Sequence, residues 1–292
     1  MLTYTASGLE RQPPDLQSHV QLIFFAIGDQ GDGSRAQRQV AAAMEQEAEK
    51  SAHLDFILLL GDNFYNRGVL SSQDYQWQEK FEHIYAGPLL KKTPFIAILG
   101  NHDHRQNAQA QIDYDLENRG SKRWQMPAAY FKMDFGPIQQ RPLLRLIGLD
   151  TTNTDQLDEQ ADFIRQSFKN DPENSPIWRL VAGHHPVRSV SWHGDTESLI
   201  ADILPAMKSV DIDLYLSGHD HNLQLIAHPN EPIQVVSGGG GKSLYEIEQQ
   251  NENVRFAVSK YGFVKVALNA SKLELTYFDR KGKILYEMEM NR

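Results

Sequence analysis

Short apolar runs recur along the chain and are separated by longer amphipathic stretches. The runs are rich in residues that favour β-structure, and most of them end at a glycine, which is typical of strands buried within a sheet. The predicted strands cover residues 21–28, 54–61, 94–100, 143–149, 178–183, 212–218 and 232–238.

The stretches between these runs carry apolar residues at helical spacing. The predicted helices cover residues 34–51, 72–90, 156–170 and 196–210. Strands that alternate with amphipathic helices indicate β-α-β units, so the predicted class is α/β. Residues 256–290 alternate more as antiparallel strands do, which predicts a mixed sheet toward the end of the chain.

The composition is that of a globular protein, and it excludes several kinds of site. The 292 residues are 40% hydrophobic and 10% aromatic, which is enough to bury a large core and excludes intrinsic disorder. The chain has no cysteine, so disulfides, thiolate zinc sites, iron–sulfur clusters and a thiol nucleophile are all excluded. A metal would have to be held by His, Asp, Glu, Asn, Tyr or backbone oxygen.

The charge and the hydropathy pattern restrict the partners. A net charge of −9 argues against a broad nucleic-acid surface, because such surfaces are strongly basic. No stretch approaches the ~20 apolar residues of a membrane span, so no membrane partner is expected. Residues 1–19 lack the basic start and apolar run of a secretory signal. The sequence leaves the compartment open, with the cytoplasm as the default expectation.

Polar motifs follow five of the predicted strands. They are GDQGDG at 28–33, GDNFY at 61–65, GNHDH at 100–104, GHHP at 183–186 and GHDH at 218–221. Each motif by itself is weak, because an Asp there is commonly a turn or a helix cap and a lone His is more often structural. Open α/β sheets bind ligands at the carboxyl ends of their strands, so five such motifs in one chain predict a functional site.

The residue types in these motifs suit two metal ions. Carboxylates, a phenol, a carboxamide and imidazoles are all present, and two cations ~3.5–4 Å apart can clamp a phosphoryl group and activate water. The His-x-His spacing at 219–221 is compatible with two side chains on one face or with one ligand to each metal. The spacing leaves both alternatives open.

In this order the five motifs resemble those of the binuclear metallophosphoesterases, the calcineurin-like superfamily. GDNFY is similar to the purple acid phosphatases, and GNHDH, VAGHHPV and SGHDHNLQ resemble the small, tartrate-resistant type. The resemblance spans about residues 24–278 and implies a four-layer sandwich of two mixed β-sheets flanked by helices. We therefore expect an N-terminal extension over residues 1–20 and a single catalytic domain over residues 21–292.

The resemblance also implies how the donors divide between two metals. The implied ligands of a ferric ion are Asp29, Tyr65 and His221. The implied ligands of a divalent ion, which is iron, zinc or manganese, are Asn101, His184 and His219. Asp62 would bridge the two ions, while His102 and His193 would be catalytic, holding phosphate and delivering a proton. Carboxylate and phenolate suit Fe(III), and imidazole and amide suit a divalent ion.

The function implied by the resemblance is that of an acid phosphatase. Such an enzyme hydrolyses phosphate monoesters by attack of a metal-bound hydroxide at an Fe(III)–M(II) centre. Because a trivalent ion keeps hydroxide available in acid, an acidic pH optimum is expected. The expected substrates are small phosphorylated molecules, with phosphoproteins as a further class, and the chain is expected to be a monomer.

Two other functions stay open at this stage. A phosphodiesterase or nucleotide pyrophosphatase of the same fold uses a similar constellation but generally has an acid or His in place of Tyr65. A non-catalytic iron-binding protein would keep the metals but would not need His102 and His193.

Some positions depart from the pattern of the tartrate-resistant type. Gln30 stands where such relatives usually have Trp, and His185 stands where they have Tyr. Residues 150–162 are short and cysteine-free, whereas the mammalian enzymes have a longer loop there. Asp103 and His104 are equally suited to orienting metal ligands and to capping a turn.

Overall fold

The computed structural model describes residues 21–138, 141–169 and 175–292. Within these residues the strands form two seven-stranded sheets, and helices pack on the outer face of each sheet. The predicted four-layer α/β sandwich of two mixed sheets is confirmed. The N-terminal extension expected over residues 1–20 lies outside the described residues.

Sheet I combines strands from the two ends of the described chain. Its strands in spatial order are β14 (Ile284–Asn291), β13 (Lys272–Asp279), β12 (Gly262–Leu268), β1 (Leu22–Ile27), β2 (Phe56–Leu59), β3 (Phe95–Ala97) and β4 (Trp124–Gln125). Strands β1 to β4 are parallel, whereas β12 pairs with β1 antiparallel and β13 and β14 continue that antiparallel pairing.

Sheet II contains the strands from the middle of the chain, β5 to β11. Its strands in spatial order are β11 (Val254–Val258), β9 (Leu223–Ile226), β10 (Ile233–Ser237), β8 (Leu214–Ser217), β7 (Trp178–Ala182), β6 (Arg141–Gly148) and β5 (Phe131–Ile138). The four central strands are parallel, and antiparallel strands close both sides.

Helices cover the two outer faces. The helices are α1 (Arg35–Lys50), α2 (Gln109–Leu116), α3 (Leu157–Ser167) and α4 (Leu204–Ser209), and the π-helical turn Leu199–Ile203 leads directly into α4. The first two helices pack on sheet I, and the other two pack on sheet II. Within the described part of the chain, no helix is long and apolar enough to cross a bilayer.

The core between the sheets is apolar and aromatic. Phe24 stacks on Phe56 with ring centroids 4.5 Å apart, and Phe56 stacks on Phe135 of sheet II at 4.6 Å. All three rings are at most 1% exposed. Because offset aromatic pairs bury large areas and prefer defined geometry, this stack fixes how the two sheets face each other.

Helix α1 follows β1 for reasons visible in its sequence. The Ser34 hydroxyl accepts a hydrogen bond from the Gln37 N–H at 3.1 Å, which satisfies one of the free N–H groups at the helix start. Val40 and Met44 lie one turn apart on the buried face. The helix therefore begins just after the first polar motif and holds that loop against sheet I.

The predicted strands and most of the predicted helices are confirmed, and one prediction is wrong. Residues 72–90 do not form a long helix; they contain the π-helical turn Gln78–Glu82 and, near their end, the start of the short 3₁₀ turn Leu90–Lys92. Their apolar side chains, such as Trp77 and Phe81, pack into the core from irregular backbone. The spacing of apolar residues over 72–90 therefore indicated which side chains are buried, and it did not indicate a helix. Strands β4, β5 and β9 and helix α2 were not predicted, because they are short or carry polar residues, Gly or Pro inside them.

Candidate metal centre

The five polar motifs converge at one end of the sandwich. They follow β1, β2 and β3 of sheet I and β7 and β8 of sheet II, so the carboxyl ends of parallel strands from both sheets meet there. The sheets approach closely at this end: a Cβ on Gly61 would lie 2.6 Å from Nδ1 of His184, and one on Gly218 would lie 2.5 Å from Oδ2 of Asp29. Both glycines therefore make room for side chains of the other sheet.

Three of the predicted ligands have unusual backbone conformations. Asp29, Asp62 and His219 have φ values of 59°, 53° and 66°, in the left-handed region that non-glycine residues rarely adopt. Strained backbone of this kind clusters at functional sites, where it aims side chains that ordinary turns would misplace.

One group of donors is formed by Asp29, Tyr65 and His221. The Tyr65 hydroxyl lies 2.8 Å from Oδ1 of Asp29 and 3.0 Å from Nε2 of His221, and the latter nitrogen is 3.5 Å from Asp29 Oδ1. All three side chains are nearly or fully buried. The structure thus brings together a carboxylate, a phenol and an imidazole from three motifs.

A second group is formed by Asn101, His184 and His219. Nε2 of His184 lies 3.1 Å from Oδ1 of Asn101 and 3.3 Å from Nδ1 of His219. Asp62 lies beside this group, with its Oδ1 atom 3.5 Å from His184 Nε2. Ligand atoms of Asp29, Asp62 and His184 all lie within 4.8 Å of one another, so the two groups are contiguous.

Hydrogen bonds to backbone carbonyls set which histidine nitrogen faces the centre. His184 donates from Nδ1 to the Leu60 carbonyl at 2.8 Å, and His221 donates from Nδ1 to the Ser243 carbonyl at 2.7 Å. In the neutral rings the lone pairs therefore lie on Nε2, which faces the other donors. This arrangement of the far nitrogen is the one found around metal-binding histidines, so the donor set fits cations.

The pKa values of the centre support the same conclusion. Burial, followed by the nearby Asp29 and Asp62 carboxylates, raises the pKa of Tyr65 well above its ordinary value. Burial and the charge of His184 lower the pKa of His219, which keeps that imidazole neutral. Burial disfavours the Asp29 carboxylate, but its hydrogen bond to His221 and the neighbouring imidazoles outweigh this and lower its pKa. A phenol beside two carboxylates ionises only if positive charge is supplied.

His102 lies at the mouth of the centre. Its backbone N–H donates to Asp62 Oδ1 at 2.8 Å, and its Nδ1 lies 2.7 Å from the Asn66 carbonyl. Its Nε2 is 3.9 Å from Asp62 Oδ2, and burial lowers its pKa despite the charge of Asp62. The ring thus directs Nε2 toward the donors without joining either group.

His193 reaches the same centre from a loop after β7. Its ring stacks on that of His219 with centroids 4.0 Å apart, and its Nδ1 lies 2.8 Å from Oδ1 of Asp220. All nine predicted site residues are therefore brought to one end of the molecule. Asp220 lies between two of the predicted ligands, and sequence reasoning missed it because the partner of its carboxylate is 27 positions away.

The remaining polar residues near the centre have distinct surroundings. The Asp103 carboxylate is fully buried and accepts the backbone N–H groups of Asn63, Phe64 and Gly100, which indicates that it holds the loops. His104 pairs with Asp150 at 2.9 Å. Nδ1 of His185 lies 2.9 Å from the Thr151 hydroxyl. Burial lowers the pKa of His185 to about 3, so its uncharged ring forms part of the pocket wall beside His219.

Comparison with known proteins gives results that agree with this geometry. Residues 19–223 match the family model described as calcineurin-like phosphoesterase. The chain is 32% identical to tartrate-resistant acid phosphatase type 5 of Sus scrofa, over 93% of this chain and 87% of that protein. It is also 32% identical to purple acid phosphatase 3 of Arabidopsis thaliana, over 90% of this chain and 76% of that protein.

The fold is also similar to that of a solved structure. The structure described as GAP50, the anchor in the inner membrane complex of Plasmodium, matches with a TM-score of 0.80 and 24% identity, covering 93% of this chain and 89% of that one. At this identity the similarity concerns the fold alone.

Proposed function

Because the chain belongs to the purple acid phosphatases of the calcineurin-like phosphoesterase family, we propose that it is an acid phosphatase that hydrolyses phosphate monoesters. The observation that carries this proposal is the convergence of five strand-end motifs on one buried set of oxygen and nitrogen donors. The proposal assigns residues 21–292 to one catalytic domain, since strands from both ends of that range share sheet I.

We propose that the two donor groups hold two metal ions. Asp29, Tyr65 and His221 would bind a ferric ion, because carboxylate and phenolate are hard anionic donors, and Asn101, His184 and His219 would bind a divalent iron, zinc or manganese ion. Asp62, beside both groups, would bridge them. When bound, the ions would supply positive charge for the phosphate oxygens and an activated water nucleophile.

The two further histidines would act on the phosphate. Nε2 of His102 faces the centre while Nδ1 donates to the Asn66 carbonyl, so in the protonated ring the Nε2–H group would donate a hydrogen bond to a phosphate oxygen. His193, whose ring covers His219, is placed to give a proton to the leaving alkoxide. Both side chains are partly exposed, as residues that contact substrate must be.

The proposal extends to the substrates and the oligomeric state. The proposed substrates are small phosphate monoesters, with phosphoproteins as a further class, and the chain is proposed to act as a monomer. The charge of −9 does not oppose this, because roughly five units of metal charge would make the centre locally cationic.

The test combines turnover, metal content and colour. We expect the purified protein to contain two metal ions, to absorb visible light through a tyrosinate–Fe(III) band, and to hydrolyse p-nitrophenyl phosphate best in acid. His102→Ala should keep both metals and lose about 10²-fold in kcat/KM. Two metals without turnover in either protein would instead indicate an iron-binding protein, and a colourless enzyme with two zinc or manganese ions would contradict the ferric assignment. A pH profile that rises continuously to alkaline values would contradict acid catalysis.

A further inference from the structure

The His193 imidazole is held by a buried carboxylate that the proposed mechanism does not use. Asp220 Oδ1 lies 2.8 Å from Nδ1 of His193 and accepts the His193 backbone N–H at 3.4 Å. The Asp220 side chain is completely buried, whereas that of His193 is 33% exposed. The buried Asp220 carboxylate is thus held in place, whereas the His193 imidazole that it holds remains accessible from outside.

The second oxygen of Asp220 is occupied as well. Oδ2 accepts a short hydrogen bond from the Ser189 hydroxyl, and Ser189 Oγ in turn accepts from Nε2 of Gln224 at 2.9 Å. Both oxygens are therefore bonded to the loop that carries His193. Asp220 does not lie in the Asp29, Asp62 and His184 cluster, although its neighbours in the chain are predicted ligands.

The carboxylate rests on a network of buried amides and hydroxyls. Gln224 donates to Oδ1 of Asn222 at 2.8 Å and accepts the Val190 N–H at 2.9 Å. Asn222 donates to the Ser191 hydroxyl at 2.7 Å, and that hydroxyl donates to the Glu246 carbonyl at 2.8 Å. Because the links among Ser189, Asn222 and Gln224 are buried, the network restricts the motion of the loop that carries His193.

Two contacts fix the orientation of the His193 imidazole. Its ring is nearly parallel to that of His219, at 29°, and Nδ1 is bonded to Asp220. Because a carboxylate only accepts hydrogen bonds, the proton of Nδ1 points at Asp220 and Nε2 is left for the substrate. We propose that Asp220 is a positioning residue that accepts the Nδ1 proton of His193 and thereby aims Nε2 at the leaving-group oxygen; the imidazolium, which carries a proton on both nitrogens, then gives its Nε2 proton to that oxygen and returns to the neutral Nδ1–H ring.

This inference rests on the proposed phosphatase function, and the first experiment uses its turnover. Asp220→Ala, His193→Ala and the double variant are compared with wild type on phenyl phosphate at saturating metal. We expect each single variant to lose about 10²-fold in kcat with little change in KM, and the double variant to be no slower than His193→Ala. Asp220→Asn can still accept the Nδ1 proton through its amide oxygen, so it should recover most of the loss.

Asp213→Ala is the matched control. Asp213 is a partly buried carboxylate, but it precedes β8 at the opposite end of the strand and bonds Arg179 and Arg292. It should leave kcat unchanged. Metal content is measured for every variant, and we expect two ions throughout.

A leaving-group comparison separates proton delivery from general damage. With 2,4-dinitrophenyl phosphate the departing oxygen needs no proton, so Asp220→Ala and His193→Ala should lose less than about threefold. With phenyl phosphate the full loss should appear. Equal losses on both substrates would overturn the proposal, as would additive losses in the double variant or loss of metal in Asp220→Ala.

The second readout does not depend on turnover. In the zinc-loaded protein labelled with ¹⁵N-histidine, long-range ¹H–¹⁵N correlations report which nitrogen of the neutral His193 ring carries the proton. We expect Nδ1–H in wild type and in Asp220→Asn, and a mixture of tautomers in Asp220→Ala. If wild type hydrolyses no aryl phosphate, the proposed function fails while this measurement still decides the pairing; an unchanged tautomer in Asp220→Ala would refute it.

Discussion

Tyr65 is the residue of the GDNFY motif on which the resemblance to the purple acid phosphatases depends most. Its hydroxyl contacts both Asp29 and His221, and burial with two carboxylates raises its pKa. A single short motif, GDNFY, identified it from sequence. The pairs His193–Asp220 and His104–Asp150 could not be found this way, because their members are 27 and 46 positions apart and only the meeting of the strand ends brings them together.

Tyr65→Phe should remove the colour of the protein. The ring would stay in place, but the phenolate donor would be lost, so we expect the visible band to disappear and the iron content to fall. Absorption spectra and metal analysis measure this. Tyr245→Phe is the control, because that ring stacks on His221 at 4.1 Å and should keep the band. An unchanged spectrum in Tyr65→Phe would contradict the assignment of Tyr65 as a ligand.

The His104–Asp150 pair should make stability depend on pH. Burial opposes the charge on His104, but the hydrogen bond to Asp150 together with the charges of Asp150 and Asp103 outweighs burial and raises the pKa of His104. A raised pKa contributes stability that is complete below the ordinary histidine value of ~6.5 and is lost as the pH rises through the folded value.

The free energy of unfolding should therefore differ more between wild type and His104→Gln near pH ~5.5 than near pH ~8.5. Urea titrations at both values measure the difference. His83→Gln, at an exposed position, serves as the control and should show no such trend. A difference that grows toward alkaline pH would show that His104 is not stabilised as the cation.

At the scale of elements, strands were easier to predict than helices. The buried parallel strands are continuous apolar runs, whereas residues 72–90 place apolar side chains into the core from irregular backbone. Trp77 stacks on Tyr114 of α2 at 3.5 Å, a contact between segments that no local pattern connects. Packing against distant parts of the chain thus determined the backbone of residues 72–90. The local spacing of apolar residues carries no information about those contacts.

Ser34→Ala should destabilise the protein through α1. The variant loses the cap bond to Gln37 and the bond from the Ser34 hydroxyl to the Gly241 carbonyl at 3.1 Å. We expect a loss of about 1 kcal/mol in the free energy of unfolding, measured by urea denaturation. Ser34→Thr keeps a capping hydroxyl and should lose less; equal losses would show that the cap contributes nothing.

At the scale of the molecule, each donor group contains residues from both sheets. Asp29, Tyr65 and Asn101 follow strands of sheet I, while His184, His219 and His221 follow strands of sheet II. The motifs predicted that these residues belong together, but the order of the strands was not predictable. Strand β12 lies beside β1 although the chain ends that form them are far apart in sequence, a pairing decided by the shared core.

Removal of metal should lower the melting temperature. A ligand present at ~100 times its Kd adds about 2.7 kcal/mol to stability, and without cations the neighbouring Asp29 and Asp62 carboxylates are offset only by imidazoles and hydrogen bonds. Scanning calorimetry before and after chelation, with Mn²⁺ or Zn²⁺ added back, measures the effect. Asp62→Asn should shrink the difference between the two forms, and a melting temperature indifferent to chelation would contradict a metal centre in this position.

The sharing of ligands between sheets also bears on how such a protein can be recombined. Exchanging one sheet with that of a distant relative would join donor residues of one protein to donor residues of the other. The strained turns at Asp29, Asp62 and His219 and the close approaches at Gly61 and Gly218 would then have to match to fractions of an ångström. Chimeras that divide the chain between the sheets should therefore fold more often than they bind metal. In a library of such chimeras, the metal content of each purified protein would report how well the two inherited halves fit each other.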